Sequence, residues 1–374
     1  MARSLKALIL IGSLRGGGAE RQVRYLAARF AALNVDLTIA LLEKGSQEQH
    51  IGVVPIVCLR SPKPSWASAA IRFRRLASSV DVVYSFMDVA NVFAVVSTAG
   101  LNVARVWGLR NSGVTQGLVA RSSFTLSRIL SRNADSAICN SQAVQNFYAE
   151  AGFKPQQWAV IANGVSVADF NPNHRVRQLE INGRTLDLDG TIVGMIARAD
   201  GFKRHDLFFG MVAQLRDRFP EVAWLIAGLG TADSGGPLAS QMRDSGVAES
   251  IVALGEVSDV PSLVASLDIA VCSSEFEGSS NSILEGLASA VPVVSFAVGD
   301  ADAMLSSCGV VVQQRSVAAL ADAVASLLDH PERRLALGAA GRRVAVERYS
   351  VEHMVQRTKS VLEQVCAFES DRVS

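Results

Sequence analysis

The stretch Ile269-Ala270-Val271-Cys272-Ser273-Ser274-Glu275-Phe276-Glu277-Gly278-Ser279-Ser280-Asn281-Ser282-Ile283-Leu284-Glu285-Gly286 runs from a short apolar strand through a Gly/Ser turn into an apolar helix. It sets two carboxylates, Glu277 and Glu285, eight positions apart. A helix beginning near Ser280 leaves Glu277 on the loop before it. Glu285 then sits about one turn in, with Leu284, Leu287 and Ala288 facing a core. The N–H groups of Gly278, Ser279, Ser280 and Asn281 would point out of the helix start, where the macrodipole also favours an anion. A diphosphate fits such a place. The carboxylates would flank it and accept hydrogen bonds from hydroxyls, Glu285 from a ribose and Glu277 from a sugar. An N-capped surface helix with two solvated glutamates gives the same pattern, so the rest of the chain has to decide.

Working outward, short apolar runs rich in β-branched residues recur with helical patterns between them. They are Ala7–Ile11, Leu37–Leu41, Val82–Ser85, Ala104–Trp107, Ser136–Cys139 and Ala159–Ile161. Continuous apolar strands of this kind predict a parallel sheet covered on both faces. Residues 171–190 lack a strong period and read as an interdomain linker. A second series follows, at Ile192–Ile196, Trp224–Ala227, Ile251–Leu254, Ile269–Cys272, Pro292–Ser295 and Gly309–Val312. The expected fold class is therefore α/β, with two doubly wound domains of similar size. Such sheets bind ligands beyond the carboxyl ends of their strands, so two facing domains would share a central cleft. The polar motifs fall where this requires: Gly12–Gly18 after the first strand, Arg198 after Ile196, and Glu275 and Glu277 after Cys272.

At 374 residues, about half of them hydrophobic, the chain can bury two cores. A formal charge of +1 argues against a whole-chain polyanion binder, and no nucleic-acid partner is expected. The charge is uneven. From Arg60 to Arg132 there are ten lysines and arginines against only Asp81 and Asp88, a stretch suited to anionic lipid. The five cysteines, Cys58, Cys139, Cys272, Cys308 and Cys366, form no C-x-x-C pair, so neither a disulfide framework nor a zinc site is indicated. Cys139 and Cys272 end apolar runs and read as buried small hydrophobes. The N-terminal apolar run is too short for a signal-peptide core or a membrane span. A cytoplasmic protein is expected, at most peripheral at the inner face of the plasma membrane.

Gly12-Ser13-Leu14-Arg15-Gly16-Gly17-Gly18-Ala19-Glu20-Arg21 lies at a strand-to-helix junction, where glycines let the backbone approach a ligand. It is not a Walker loop, because no Gly-Lys-Ser/Thr follows. A nicotinamide-binding fingerprint fits poorly, since Leu41-Leu42 stand where an acidic residue should end the second strand. A flexible loop remains the plain alternative. Arg198-Ala199-Asp200-Gly201-Phe202-Lys203-Arg204-His205-Asp206 places two cations, Arg198 and Lys203, around a glycine turn. They would stabilise a leaving diphosphate, or simply be a solvated basic turn. His205 reads as a helix-start or packing residue.

Taken in order, Gly17-Gly18-Ala19-Glu20-Arg21, Asn140-Ser141, Asn163-Gly164-Val165 with Phe170, Arg198 with Lys203, and Glu277-x7-Glu285 followed by Pro292-Val293-Val294 resemble the retaining GT-B glycosyltransferases of family 4. The resemblance spans nearly the whole chain. It implies a GT-B fold of two Rossmann-like domains: 1–175, acceptor-binding and completed by a C-terminal crossover helix at 351–368, and 176–350, nucleotide-sugar-binding. It further implies transfer of a sugar from a nucleotide donor, a UDP-sugar by family habit, to a hydroxyl of a polysaccharide or lipid-linked oligosaccharide. No cofactor and no metal are implied. Arg198, Lys203 and Glu277 would be catalytic. Glu285, Gly278, Ser279, Ser280, Asn281, Gly17 and Gly18 would bind the donor.

Two departures from the family pattern matter. Relatives that carry a histidine near the donor sugar differ from this chain, which has Trp107-Gly108-Leu109-Arg110-Asn111 there and no histidine between His50 and His174. Arg110 and Asn111 become the candidates for acceptor or sugar contacts, and a front-face mechanism is implied in which the leaving phosphate takes the acceptor proton. Ser279 stands where relatives often have an aromatic residue. Arg121, Arg128 and Arg132 recur at near-helical spacing within Gly117–Arg132 among Leu118, Phe124, Leu126 and Leu130. That pattern suits a helix lying on an anionic membrane, or an ordinary amphipathic helix with its basic face in water. A non-catalytic glycan-binding or regulatory protein on the same scaffold is the alternative. Retention of the Arg/Lys/Glu set argues for an enzyme.

Overall fold

The computed structural model describes residues 4–15, 17–43, 50–60, 65–111, 118–181 and 183–373; Gly16, Lys63 and Gly117, used above, lie outside the described residues. The chain forms two compact units, Met1–Gly164 with Val351–Ser374, and Val165–Ser350.

The strands of the first unit are β1 (Leu5–Ile11), β2 (Val35–Leu41), β3 (His50–Ile51), β4 (Val54–Cys58), β5 (Val82–Phe86), β6 (Ala104–Leu109), β7 (Ser136–Cys139) and β8 (Trp158–Val160). They lie in the order β3-β4-β2-β1-β5-β6-β7-β8, parallel except for β3 against β4. Alternate residues of β1 feed opposite faces, as the pleat demands. Ala7, Ile9 and Ile11 pack with the helix Gly18–Phe30 and with Val351, Val355 and Leu362 of the helix Val351–Val373. Leu8 and Leu10 pack with Phe73 and Ala94 from helices on the other face. Burial on both faces is why these strands read as unbroken apolar runs. The edge pair β3–β4 is absent from the sequence reading, because Gly52 and Pro55 break up an already short run.

The second unit opens with a hairpin, β9 (Gln178–Ile181) and β10 (Arg184–Asp187), inside the stretch expected to be a linker. Leu179, Ile181 and Leu188 are buried with Ile192, Leu225 and Leu263, so most of 171–190 is folded structure of this unit. A four-residue strand offers too few alternations to stand out by period. The main sheet has β11 (Thr191–Ile196), β12 (Val222–Ala227), β13 (Ile251–Ala253), β14 (Ile269–Cys272), β15 (Val293–Phe296) and β16 (Gly309–Val312), all parallel, in the order β13-β12-β11-β14-β15-β16. This is the doubly wound order, in which the direction of strand addition reverses between β11 and β14. The segments that follow those two strands carry Arg198, Lys203, Glu277 and Glu285. No described helix is long and apolar enough to cross a membrane.

Candidate active site

After β11 the chain turns through Arg198 and a short 3-10 helix, Gly201–Lys203, whose start is capped by Asp200 Oδ1 accepting from the Phe202 N–H at 3.2 Å. After β14 it passes through Glu275–Asn281 into the helix Asn281–Ala288. Three hydrogen bonds tie these loops together. The fully buried Ser273 hydroxyl donates to the carbonyls of Lys203 and Arg204 at 2.9 and 3.0 Å, and the Glu275 N–H donates to the Phe202 carbonyl at 2.7 Å. Arg204 takes the left-handed conformation (φ 53°) that turns its carbonyl to Ser273, and its guanidinium forks onto Asp206 at 2.8 and 2.7 Å.

The result is a direct ion pair between residues 74 apart in sequence, with Lys203 Nζ lying 2.5 Å from Glu277 Oε1. Both side chains are largely sheltered. Burial pulls the Lys203 ammonium down, but the neighbouring Glu277 carboxylate outweighs it and the net shift is upward, so Lys203 is charged at neutral pH. Arg198 stands beside them more openly, 59% exposed, with Asp200 at 3.4 Å.

Glu285 is far more enclosed than the solvated-glutamate picture allows, at 4% exposure. It lines a small cavity with Ile196, Leu267, Cys272 and Ser282. Ile283–Ala288 are all buried, and the helix Pro331–Arg348 lays Gly338 and Gly341 against the end of this one. A Cβ on Gly338 would meet the Ala290 carbonyl oxygen at 2.1 Å, and one on Gly341 would meet a Leu287 methyl at 2.7 Å. Arg342 fixes the helix end by donating to the carbonyls of Ala288, Phe170 and Val167. Gly278, Ser279 and Ser280 are buried and Asn281 is half-buried; the Ser280 side chain does not cap the helix.

Sequence reasoning missed two supports of this site. Gly299 (φ +57°) lies under the turn, where a Cβ would come within 2.4 Å of the Gly278 carbonyl oxygen, and the Asp300 N–H donates to that oxygen at 3.2 Å. Gly228 lies against Ala197 and Arg198. Each glycine follows a strand, the same signal that marked the other loops. His205 is buried between the loop and Phe209, and burial pulls its pKa down to about 4. It is a neutral packing residue. Cys139 and Cys272 are buried as expected. Among the described residues no three His, Cys, Asp or Glu side chains are grouped to hold a metal ion.

In the first unit, Gly17 precedes the helix Gly18–Phe30 in extended conformation. The Glu20 carboxylate lies over its Cα, where a Cβ would meet Oε2 at 2.4 Å. Gln22 clamps Gly164, accepting from its N–H at 2.8 Å and donating to its carbonyl at 3.1 Å. Arg110 follows β6 and is buried, donating to Tyr84 Oη at 2.7 Å and to Asn163 Oδ1 at 3.3 Å. Asn140 donates to the Arg110 carbonyl at 3.2 Å, and Ser141 caps the next helix at Val144. Arg110, Asn140 and Asn163-Gly164 are thus brought together at one edge of the sheet, and Asn111 beside them is half-buried.

Residues 190–330 match the family described as Glycosyl transferases group 1, and residues 16–169 match Glycosyltransferase Family 4. Lipopolysaccharide core biosynthesis mannosyltransferase LpsB of Rhizobium meliloti (strain 1021) is 25% identical over 64% of this chain and 68% of its own. The GDP-mannose-dependent alpha-(1-6)-phosphatidylinositol monomannoside mannosyltransferase of Mycolicibacterium smegmatis is 27% identical over 82% of each chain. Anabaena Alr3699/HepE in complex with UDP superposes with a TM-score of 0.81 at 20% identity, covering 96% of this chain and 100% of that one. Sucrose-phosphate synthase from Thermosynechococcus elongatus does so with a TM-score of 0.83 at 17% identity, covering 97% and 99%. With a doubly wound parallel sheet in each unit and a glycosyltransferase match on each, the chain is a glycosyltransferase of the GT-B type.

Proposed function

We propose that the chain is a retaining, metal-independent glycosyltransferase of family 4. It moves a sugar from a nucleoside-diphosphate donor to a hydroxyl of a polysaccharide or lipid-linked oligosaccharide. The observation that carries this reading is the Lys203–Glu277 pair beside Arg198 at the switch point of the second unit's sheet. As the bond from the anomeric carbon to the diphosphate breaks, charge gathers on the leaving oxygen. Fixed cations there stabilise the transition state more than the ground state. Arg198 and Lys203 supply that charge without a divalent ion. Glu277 orients Lys203 and accepts from a donor-sugar hydroxyl. The backbone of Gly278, Ser279, Ser280 and Asn281 holds the diphosphate and Glu285 the ribose, and Gly17 and Gly18 are further donor-binding residues. The acceptor oxygen bonds to the anomeric carbon on the face the diphosphate leaves, and its proton passes to the departing phosphate. Arg110 and Asn111 contact the acceptor.

A UDP-sugar is the donor expected from family habit. A GDP-mannose donor is the second reading, favoured by the mannosyltransferase relatives. Thermal-shift titration with UDP, GDP, ADP and NAD separates them, since a ligand at 100 times its Kd stabilises by about 2.7 kcal/mol. Stabilisation by NAD alone would overturn the proposal. Glu285→Ala is expected to remove most of the nucleotide shift, and an unchanged affinity would rule out the ribose contact.

The helix Leu118–Leu130 turns Phe124 inward onto Phe147 and Phe153 and leaves Leu126, Ile129, Arg121 and Arg128 exposed. Exposed apolar side chains among arginines support peripheral docking on an anionic membrane. Replacing Arg121, Arg128 and Arg132 by glutamate is expected to abolish flotation with phosphatidylglycerol vesicles. Flotation equal to that of the unaltered chain would remove the membrane from the proposal.

A further inference from the structure

Arg110 is a buried cation whose surroundings are neutral. The residue is 8% exposed, and its guanidinium is bonded to the Tyr84 hydroxyl and the Asn163 amide oxygen and lies 5.0 Å from the centre of the Phe86 ring; Nε is buried without a partner. The titratable neighbours supply no counter-ion. Burial raises the Tyr84 phenol above its ordinary value, and pushes the Cys139 thiol up to about 12, in both cases against the pull of Arg110. Asp88 lies two residues past Phe86, which pairs with Gly108; Ser127 Oγ donates to its main-chain carbonyl at 3.3 Å, its carboxylate Oδ1 is buried without a hydrogen-bond partner, and no ion pair joins it to Arg110. Among the described residues no carboxylate pairs with Arg110.

A guanidinium taken out of water without an anion is costly, and such a group at the carboxyl edge of a doubly wound sheet marks a ligand site. The frame around it is fixed, because Gln22 clamps Gly164 next to Asn163. We infer that Arg110 is a subsite for an oxyanion on the acceptor, a carboxylate or phosphate carried by the receiving sugar or its carrier. This rests on the reading of the first unit as the acceptor side. The donor's own diphosphate has Arg198 and Lys203 in the second unit.

The test is thermal-shift titration of the full chain with methyl β-D-glucuronide, α-D-glucose 1-phosphate and neutral methyl β-D-glucoside, with UDP and GDP titrated separately. Two variants are compared. Arg110→Gln removes the cation. Asn163→Asp gives it an internal carboxylate, so the fold keeps its support while the anion loses its place. The two anionic sugars are expected to stabilise the unaltered chain and the glucoside is not. Their affinity should fall about tenfold or more in both variants, as for loss of one partner of a buried charge pair. The inference is overturned if the glucoside binds as well as the anionic sugars, or if Asn163→Asp keeps their affinity. It is equally overturned if Arg110→Gln weakens the nucleotide instead, which would make Arg110 a donor contact. Absence of any nucleotide shift in the unaltered chain would sink the donor reading and leave the sugar comparison to decide this one.

Discussion

Lys203→Ala is expected to lower kcat at saturating donor about 10²-fold, equivalent to about 2.7 kcal/mol of lost transition-state stabilisation, the usual effect of removing one fixed donor from a developing oxyanion. The ammonium is held by Glu277 at 2.5 Å, and the loop that carries it is pinned through its carbonyls by Ser273. It therefore needs no reorganisation when charge appears on the leaving group. Because its pKa is raised above the ordinary 10.5, the Lys203 contribution is complete at neutral pH and, on the alkaline side, is lost as pH rises through the folded value. An activity loss on going from pH 7 to pH 9 would thus have another origin. Removing Lys203 also leaves Glu277 partly buried without this partner, so a melting temperature must accompany the rate. A kcat within about threefold of the unaltered enzyme, in a variant of unchanged stability, would remove Lys203 from the chemistry.

That pair illustrates what a sequence hides. The spacing of Arg198 and Lys203 about a glycine turn, and of Glu277 and Glu285 about a helix start, was legible because each is local and each follows a strand. The strands were legible for the same reason. Ser136–Cys139, Ile269–Cys272 and Gly309–Val312 coincide with their apolar runs, since burial on both faces leaves no polar alternation to confuse them. Contact between Lys203 and Glu277 was not legible, because it depends on β11 and β14 being neighbours. Nor was the burial of Glu285. It lines a small cavity with Ile196 at the end of β11 and Cys272 at the end of β14, so its enclosure also depends on those strands being neighbours. Where the period was too short or broken, as in β4 with Pro55 or the hairpin at β9 and β10, structure was missed or taken for a linker.

Gly228→Ala is expected to destabilise the second unit by about 3 kcal/mol, combining a Gly-only backbone conformation with a steric clash. Gly228 has φ +137°, and a Cβ there would lie 2.3 Å from the Ala197 carbonyl oxygen and 3.0 Å from the Arg198 nitrogen. Both obstacles are backbone, so no rotamer change relieves them. The segment also cannot swing aside freely. The Ala197 N–H donates to Ala227 at 2.8 Å, the Ala199 N–H to Leu229 at 2.8 Å, and Gly228 itself to Gly255 at 2.7 Å. Whatever moves must carry Arg198 with it, so the Kd for the nucleotide should rise about tenfold or more as a cation shifts off the diphosphate. Gly246→Ala separates strain from contact. Gly246 has φ +66° with nothing within 4 Å of the added methyl, and there the cost should be about 1 kcal/mol with unchanged nucleotide affinity. Urea midpoints and nucleotide titrations on the two variants decide the matter. Equal midpoints would mean that the loop after β11 yields to the methyl group, and that Gly228 does not hold Arg198 in place.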